Sequence, residues 1–303
     1  MSELLRAGVL VLDKPAGITS HDAVDRVRRL YGTRQVGHTG TLDPMATGVL
    51  PILVGRAAKA AEFLGSDRKE YIASLRLGMT TDTEDVTGAP LSRYEGALPG
   101  WAEIRVAAAS MVGKSEQLPP MYSAIKVGGK KLVNLARQHI EVEREPRPVE
   151  IFAIEMSTFP RTGDPELRVV CSKGTYIRSL CRDIGERLGC GGCMSALRRT
   201  ESGRFSIQQA VTLEQLEQMS EEEKTALLLP VEALFADDPA VTLPPFFEKL
   251  ARSGLEIYLR KIGRDDPVGT RLRLRGENGF FAIGEVRQYP DGNAVKPLKQ
   301  FDL

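Results

Sequence analysis

Several features that mark membrane-spanning, secreted or metal-binding proteins are missing from this 303-residue chain. No apolar stretch approaches the roughly 18–20 residues of a membrane-spanning helix, and the apolar run at 8–12 has the length of a buried strand. No long apolar segment lies between a basic start and a small-residue cleavage site, so we predict no secretory signal. We therefore expect a cytoplasmic protein that does not enter a membrane.

Metal ligands of the usual kinds are also scarce. The chain has four cysteines and three histidines: Cys171, Cys181, Cys190, Cys193, His21, His38 and His139. Cys190 and Cys193 have the spacing of half a zinc site, but a complete structural site needs four ligands and the histidines lie far away in sequence. We predict reduced thiols in packing positions and no metal.

Charge alone does not identify a ligand. The chain has 41 basic and 40 acidic residues, a net charge of +1. Basic residues nevertheless outnumber acidic ones locally, at 124–148, 171–204 and 251–275. Such patches either follow the phosphates of a nucleic acid or form ordinary solvated faces, and the charge count does not decide between them.

The hydrophobic pattern predicts strands and helices without a regular β-α-β alternation. Tyr71, Ala73, Leu75 and Leu77 share one face of a strand, and Ser20 is placed to cap a helix. We predict an α+β fold with a largely antiparallel sheet flanked by helices. The predicted strands are 9–13, 49–54, 71–77, 151–156 and 167–173, and the predicted helices are 20–31, 101–111, 131–139, 176–188, 246–252 and two short helices within 212–228.

A polar, proline-containing stretch at 236–245 is typical of a linker. We therefore predict two domains, a larger one at 1–235 and a small one at 240–303. The second contains one helix followed by strands, which indicates a mainly-β domain.

The segment 37–48 is the most unusual part of the chain, because glycine and threonine are dense there and allow the backbone to approach a ligand closely. The phosphate-binding pattern Gly-x-x-x-x-Gly-Lys-Ser/Thr is absent, since Val49 follows Gly48, which argues against nucleotide hydrolysis. The segment carries one carboxylate, Asp43. This residue could cap a turn, bind a metal, or act as a nucleophile or general base.

Two observations favour the catalytic interpretation of Asp43. His38 lies five residues earlier, and an arginine-bearing helix after Gly174 could supply a charge partner. An aspartate paired with arginine keeps a low pKa, so we predict that Asp43 is ionised at neutral pH. Tyr71, Tyr122 and Tyr176 could stack on bases or belong to the core.

The segment 37–50, GHTGTLDPMATGVL, resembles the signature loop of the TruB-type tRNA pseudouridine synthases. Further similar motifs follow in the family's order at 8–21, 69–71, 78–85, 120–126, 173–180 and 197–200. The resemblance is strong over residues 8–203. The C-terminal region weakly resembles the PUA-type RNA-binding domain of bacterial members.

This resemblance implies the pseudouridine synthase fold and an isomerase that converts uridine 55, in the T-arm of tRNA, to pseudouridine. The N-glycosidic bond is cleaved, the uracil turns, and C5 is joined to the ribose without a cofactor or metal. The implied partner is the T-arm stem-loop of tRNA. We expect no guide RNA and a monomer.

The resemblance also implies roles for six residues. Asp43 matches the catalytic aspartate, Tyr71 the tyrosine that stacks on the flipped uracil, and Arg178 the arginine that pairs with the aspartate. One substrate-binding residue helps to hold the T-loop open and two line the uridine pocket: His38, Tyr176 and Leu197.

Two alternatives remain at this point. The chain could bind and remodel tRNA without chemistry, although the set of Asp43, Tyr71 and Arg178 favours an enzyme. It could also be a glycosidase, which would require a second carboxylate about 5–10 Å from Asp43. The candidates for that second carboxylate are Asp82, Glu84 and Asp85.

Overall fold

The computed structural model describes residues 7–64, 68–138, 140–157 and 163–301, and of Lys131 only the backbone. The described residues form eighteen strands: β1 (Gly8–Lys14), β2 (Val36–His38), β3 (Thr47–Val54), β4 (Lys69–Leu77), β5 (Met79–Thr81), β6 (Pro90–Arg93), β7 (Gly113–Gln117), β8 (Lys126–Val127), β9 (Lys130–Lys131), β10 (Arg147–Met156), β11 (Glu166–Cys171), β12 (Gly192–Ser202), β13 (Phe205–Ser206), β14 (Ala240–Thr242), β15 (Ile257–Tyr258), β16 (Arg271–Gly276), β17 (Gly279–Tyr289) and β18 (Gly292–Gln300).

Seven α-helices connect or cover these strands: α1 (Ser20–Leu30), α2 (Trp101–Ala109), α3 (Leu132–Ala136), α4 (Ile177–Arg187), α5 (Leu213–Gln218), α6 (Glu221–Ala226) and α7 (Pro245–Arg252). Each strand and helix predicted from the sequence has a counterpart here. His139, at the end of one predicted helix, lies outside the described residues. The sequence did not predict β12, although it is one of the longest strands and lies inside the main sheet.

The main sheet has nine strands, seven of them in the order β1-β3-β12-β4-β11-β10-β7. Strands β2 and β13 pair with β3 and β12 off this path. All neighbours run antiparallel except β3 and β12, which pair in parallel at Thr47–Arg198 and Gly48–Arg199. The predicted α+β fold with a largely antiparallel sheet is therefore confirmed.

Both faces of the main sheet are buried at β1 and β3. One face packs against α1 and α4 through alternate residues of several strands, including Leu10, Leu12, Leu50, Ile52 and Leu75. The opposite face packs against the 3₁₀ helix Val231–Phe235 and the C-terminal strands, through residues such as Val9, Val11, Val49 and Leu53. The alternation of side chains along each strand explains why one strand serves both layers.

Helix α1 is capped by Thr19, so the prediction that Ser20 caps it is wrong by one residue. The Thr19 hydroxyl accepts from the Asp22 amide at 3.0 Å, and the Asp22 carboxylate accepts from the Thr19 amide at 2.9 Å. Ser20 instead exchanges two hydrogen bonds with the backbone of Leu42, at 2.8 and 3.0 Å. The first turn of α1 thus holds the residue immediately before Asp43.

The C-terminal strands form a second sheet in the order β14-β16-β17-β18-β15. Part of the predicted linker is strand β14, which pairs in parallel with β16, and α7 begins at the linker's last residue. Phe235 packs with Phe280 and Phe301, with ring centroids 6.1 and 5.7 Å away. The C-terminal sheet therefore shares core contacts with the back of the main sheet.

The four cysteines are buried and reduced. Burial raises the pKa of the Cys171 and Cys193 thiols to about 11, so both are protonated at neutral pH. These observations agree with the predicted packing role. Across the described ranges, three or more His, Cys, Asp or Glu side chains nowhere gather as a metal site would require, and no helix has the length and apolarity to cross a bilayer.

Candidate active site

The signature loop, residues 37–48, leaves β2 and enters β3 against the backbone of β12. Gly48 adopts a φ of +101°, in the region that favours glycine. A Cβ atom on Gly48 would lie 2.1 Å from the carbonyl oxygen of Arg199. Only glycine allows the backbones of Gly48 and Arg199 to lie so close together. This contact fixes the end of the loop beside β12.

Lys14 binds the middle of the signature loop. Its side chain is fully buried, and its Nζ donates to the carbonyl oxygens of Pro15 at 2.7 Å, Ile18 at 2.8 Å and Pro44 at 3.4 Å. Burial lowers the pKa of Lys14 to about 8, while the nearby charge of Asp43 favours the protonated form. A buried cation therefore lies close enough to the Asp43 carboxylate to interact with its charge.

Asp43 pairs with Arg178 from the first turn of α4. Arg178 Nε lies 3.0 Å from Asp43 Oδ2, and Arg178 Nη2 lies 3.4 Å from Oδ1. Arg178 also donates to the carbonyl oxygens of Thr83 at 3.0 Å and Tyr122 at 2.9 Å. Four interactions therefore fix the plane of this buried guanidinium, and a third of the Asp43 side chain remains exposed (34%).

The pKa of Asp43 is raised above its ordinary value of 3.8. Burial is the largest cause because it disfavours the charged form, and the charge of Asp85 adds to it. Arg178 and Lys14 act in the opposite direction without cancelling the burial. The prediction of a low pKa is therefore wrong, because the sequence revealed the arginine partner but not the depth of the site.

Tyr71 lies in the centre of the main sheet. On β4 it stands opposite Val169 of β11 and Arg199 of β12, and it is 6% exposed. Burial raises the pKa of its hydroxyl, whereas the hydrogen bond and charge of Arg199 lower it. The phenol is therefore neutral at physiological pH, and its ring is held in one position by the sheet.

Arg199 links Tyr71 to the signature loop. It is fully buried, and its guanidinium donates to the carbonyl oxygens of Val49 at 2.6 Å, Gly40 at 3.1 Å and Thr41 at 3.5 Å. One side chain of β12 thus binds the first half of the loop and the residue that immediately follows it. The loop has little regular hydrogen bonding of its own, so these contacts define its shape.

The acidic turn, residues 81–88, lies beside Arg178. The Asp85 carboxylate accepts from the hydroxyls of Thr83 at 2.9 Å and Thr87 at 2.5 Å. The Glu84 carboxylate instead accepts from Ser179 and Arg182 of α4. Of the three candidates for a second carboxylate, Asp85 is the one whose charge acts on Asp43, and Glu84 is directed to the helix.

Residues 28–177 match the model of the TruB family pseudouridylate synthase N-terminal domain, and residues 178–236 match the tRNA pseudouridylate synthase B C-terminal domain. The chain belongs to the TruB family. The signature loop, Tyr71 and Tyr176 fall in the first match, and Arg178 begins the second.

Individual relatives resemble the chain over nearly its whole length. The tRNA pseudouridine synthase B of Aromatoleum aromaticum is 44% identical, covering 97% of this chain and 92% of the relative. That of Saccharophagus degradans is 41% identical, covering 97% and 95%. A solved Cbf5-Nop10-Gar1 complex contains a chain with a TM-score of 0.75 at 27% identity, covering 98% of this chain and 85% of that chain.

The TruB-family chain gathers the predicted catalytic residues at one place. Asp43 and Arg178 are in direct contact, and the charge of Asp43 contributes to the raised pKa values of Tyr71 and Tyr176. Leu197 lies on β12, and its carbonyl oxygen accepts from the Thr47 hydroxyl at 3.5 Å. These residues come from four segments of the chain: the signature loop, β4, the start of α4 and β12.

His38 and Tyr176 are two of the residues predicted to bind the substrate. His38 ends β2, and its Nδ1 is buried without a hydrogen-bond partner in the described part of the chain. Burial and the charge of Arg199 lower the pKa of His38, so the imidazole is neutral at pH 7. Tyr176 precedes α4, where Gln117 binds its backbone amide at 2.7 Å and its carbonyl at 3.0 Å.

Sequence reasoning missed three contributors to this site. Lys14, Arg199 and Glu84 lie within the motifs at 8–21, 197–200 and 78–85, but the sequence assigned them no part in holding the site, beyond Glu84 as a candidate second carboxylate. A sequence signal existed for Lys14, which ends the apolar strand β1, but not for Arg199, because β12 itself was not predicted. The signal for Glu84 was weak, because an acidic loop is usually solvated.

Proposed function

We propose that this chain converts uridine 55 in the T-loop of tRNA to pseudouridine, with Asp43 as the catalytic group and no cofactor. The observation that carries the proposal is the Asp43–Arg178 pair at 3.0 Å, held between the signature loop and α4. The curated relatives named above are tRNA pseudouridine synthases B, and their similarity extends over the whole site. The chain is accordingly an isomerase.

The chemistry requires an ionised carboxylate. The N1–C1′ bond breaks, uracil turns, a new bond joins its C5 to the ribose C1′, C5 loses its proton, and N1 takes up a proton in its place. Arg178 and Lys14 favour the ionised form of Asp43 against its burial. An aspartate with a raised pKa is also a stronger nucleophile and base than one in water, which suits attack on either ribose or base.

The buried position of the site requires that the uridine leave its stack. Extrusion of a nucleotide costs a few kcal/mol. Stacking on an aromatic ring, at about 1–3 kcal/mol per base, offsets this cost, and we assign that role to Tyr71. We propose that Tyr176 and Leu197 line the uridine pocket and that neutral His38 helps to hold the T-loop open.

The substrate is proposed to be the T-arm of tRNA, bound without a guide RNA by a monomer. The exposed basic residues of the segments 124–148, 171–204 and 251–275 would follow its phosphates and make the affinity dependent on salt. We propose that the mainly-β region 240–303 is a PUA-like RNA-binding domain and that residues 1–235 form the catalytic domain.

The test is tritium release from a T-arm stem-loop transcribed with 5-tritiated uridine, because exchange of the C5 proton accompanies the isomerisation. Wild type is compared with Asp43→Asn and with Asp237→Asn, a control at an exposed aspartate (98%). We expect release by wild type and by the control, none by Asp43→Asn, and RNA binding by all three in a filter assay.

Two results would contradict the proposal in different ways. RNA binding without tritium release by the wild type would mean that the chain remodels tRNA without chemistry. Tritium release by Asp43→Asn at the wild-type rate would show that Asp43 is not the catalytic group, although the chain would still be an active isomerase.

A further inference from the structure

Glu84 occupies an unusual backbone conformation beside the candidate active site. Its φ is +62°, the one positive φ of a non-glycine residue within the described ranges. A side chain with a Cβ atom is disfavoured there, and such strain persists only where surrounding contacts hold it. Glu84 is also buried, at 8% exposure, which is uncommon for a glutamate. Both features indicate that the surrounding contacts fix this residue.

The contacts that hold Glu84 come from helix α4. Its Oε2 accepts from the Ser179 hydroxyl at 2.6 Å, and its Oε1 pairs with Arg182 Nη1. Ser179 is fully buried and follows Arg178 directly in the chain. The carboxylate of Glu84 therefore fastens the acidic turn to the same helix that carries the arginine of the site.

The backbone of the acidic turn is fastened on its other side to β12. The amide of Met194 donates to the carbonyl of Glu84 at 3.0 Å, and the amide of Val86 donates to the carbonyl of Met194 at 3.0 Å. With both attachments in place, the carbonyl oxygen of Thr83 points at Arg178 Nη1, 3.0 Å away. This carbonyl is one of the acceptors that fix the guanidinium plane.

We propose that Glu84 is a positioning residue for the isomerisation: by holding the acidic turn on α4 it aims the Thr83 carbonyl, and through it Arg178, at Asp43. The inference rests on the proposed function, since it concerns the rate of that reaction. Glu84 itself does not touch the reacting atoms, because Ser179 and Arg182 occupy its two oxygens.

The first experiment replaces Glu84 with glutamine, which keeps the size of the side chain and removes its charge. We expect single-turnover tritium release to fall about tenfold, while the dissociation constant of the T-arm stem-loop changes less than about twofold. The matched control is Glu186→Gln. Glu186 lies on the same helix and pairs with the same Arg182 at 3.7 Å, but from the exposed side (63%). We expect the control to keep the wild-type rate.

A double-mutant cycle separates positioning from general damage to the fold. In an Arg178→Lys background the bidentate guanidinium is absent, so there is no plane for the Thr83 carbonyl to fix. We therefore expect Glu84→Gln to cost less than about twofold when added to Arg178→Lys. Two results would overturn the proposal. One is an equal loss of rate from Glu84→Gln in the wild-type and Arg178→Lys backgrounds, and the other is no loss of rate in the wild-type background.

A second variant covers the case in which Glu84→Gln fails to fold. Ser179→Ala removes the other partner of the carboxylate and leaves Glu84 and Arg182 in place. We expect a several-fold loss of rate that likewise disappears with Arg178→Lys; a wild-type rate in Ser179→Ala would overturn the proposal. If the wild type itself releases no tritium, the proposed function has failed, whereas an active wild type with an additive cycle contradicts only the role of Glu84.

Discussion

Asp43 combines two requirements that oppose each other, because a reactive carboxylate must be withdrawn from water and yet remain ionised. Withdrawal raises its pKa, and the cations of Arg178 and Lys14 act against that rise. Both cations are themselves buried, and each donates to at least two backbone carbonyl oxygens. The site therefore maintains a charged group at the expense of stability, a common property of active sites.

This opposition predicts how stability depends on pH. A carboxylate whose folded pKa lies above its unfolded value destabilises the fold while ionised, and that cost disappears as the pH falls from the folded pKa to about 3.8. Asp43→Asn keeps a neutral acceptor for Arg178, so we expect it to melt at a higher temperature than wild type at pH 7.

Thermal unfolding of both proteins between pH 7 and pH 4 checks this prediction. The difference in Tm should narrow as the pH falls, with about 2–4 °C corresponding to each kcal/mol for a chain of this size. Asp237→Asn, at an exposed aspartate, serves as the control and should show no such trend. A wild type that melts above Asp43→Asn at pH 7 would show that the ion pair with Arg178 outweighs burial.

At the scale of elements, the crossing of β3 and β12 determines where the signature loop can lie. The two strands pair in parallel at only two positions, and the crossing brings the backbone of Gly48 against that of Arg199. The same strand, β12, carries Leu197 and Arg199 to the loop and pairs with Tyr71. A small shift of β3 relative to β12 would therefore displace several residues of the site at once.

Gly48→Ala tests the crossing. The new Cβ atom would lie 2.1 Å from the Arg199 carbonyl oxygen, and the φ of +101° is itself unfavourable for alanine. We expect a loss of more than about 2 kcal/mol in the free energy of unfolding, measured in urea. The control is Gly32→Ala, which has a φ of +61° and nothing within 4 Å of its Cβ, and should cost about 1–2 kcal/mol. Equal losses in the two variants would contradict a steric role for Gly48.

Local patterns allowed the helices and the long strands β3, β4 and β10 to be predicted. The two short helices predicted within 212–228 are α5 and α6, and each begins at a capping box, at Thr212 and Ser220, which depends only on residues three apart. Strand β12 was missed, since its sequence, GCMSALRRTES, lacks a run of β-branched residues and contains adjacent charges. Those charges are explained only by long-range partners: Arg198 pairs with Asp13 at 2.7 Å, and Arg199 binds the signature loop.

Some features of the candidate site could likewise be predicted from local sequence, whereas others depend on long-range contacts. The signature loop and Asp43 could be identified from the sequence, because their composition is unusual and resembles a known family. The contacts that hold them could not, since Lys14 reaches Pro44 across 30 positions and Arg199 reaches Val49 across 150. The direction of the Asp43 pKa also depends on burial, which is a property of the assembled fold.

At the scale of the whole molecule, the C-terminal sheet is packed onto the main sheet by aromatic residues. Phe301 is fully buried, and its ring centroid lies 5.7 Å from that of Phe235 and 5.5 Å from that of Phe280. Arg271 adds an ion pair with Asp238 at 2.5 Å and a hydrogen bond to the carbonyl of Phe63 at 3.0 Å. The two sheets therefore stabilise each other.

Phe301→Ala tests this coupling. Loss of a fully buried phenylalanine should cost about 3–5 kcal/mol. Because the cavity opens between the two sheets, we expect the main sheet to be destabilised as well, which urea unfolding followed by hydrogen exchange of the β3 and β4 amides would detect. Phe246→Ala, at a phenylalanine of the same region that is 66% exposed, should change stability by less than about 0.5 kcal/mol. Unchanged exchange in β3 and β4 would mean that the sheets are independent.

The shared aromatic core also sets a fixed spacing between the Asp43 site and the C-terminal strands. If both regions bind RNA as proposed, only an RNA whose dimensions match this spacing can contact both at once. An RNA whose hairpin loop reaches Asp43 must also present its stem at the distance that the packed sheets dictate. Selection among RNAs would then rest on the shape and stiffness of the substrate, with few contacts to base edges required.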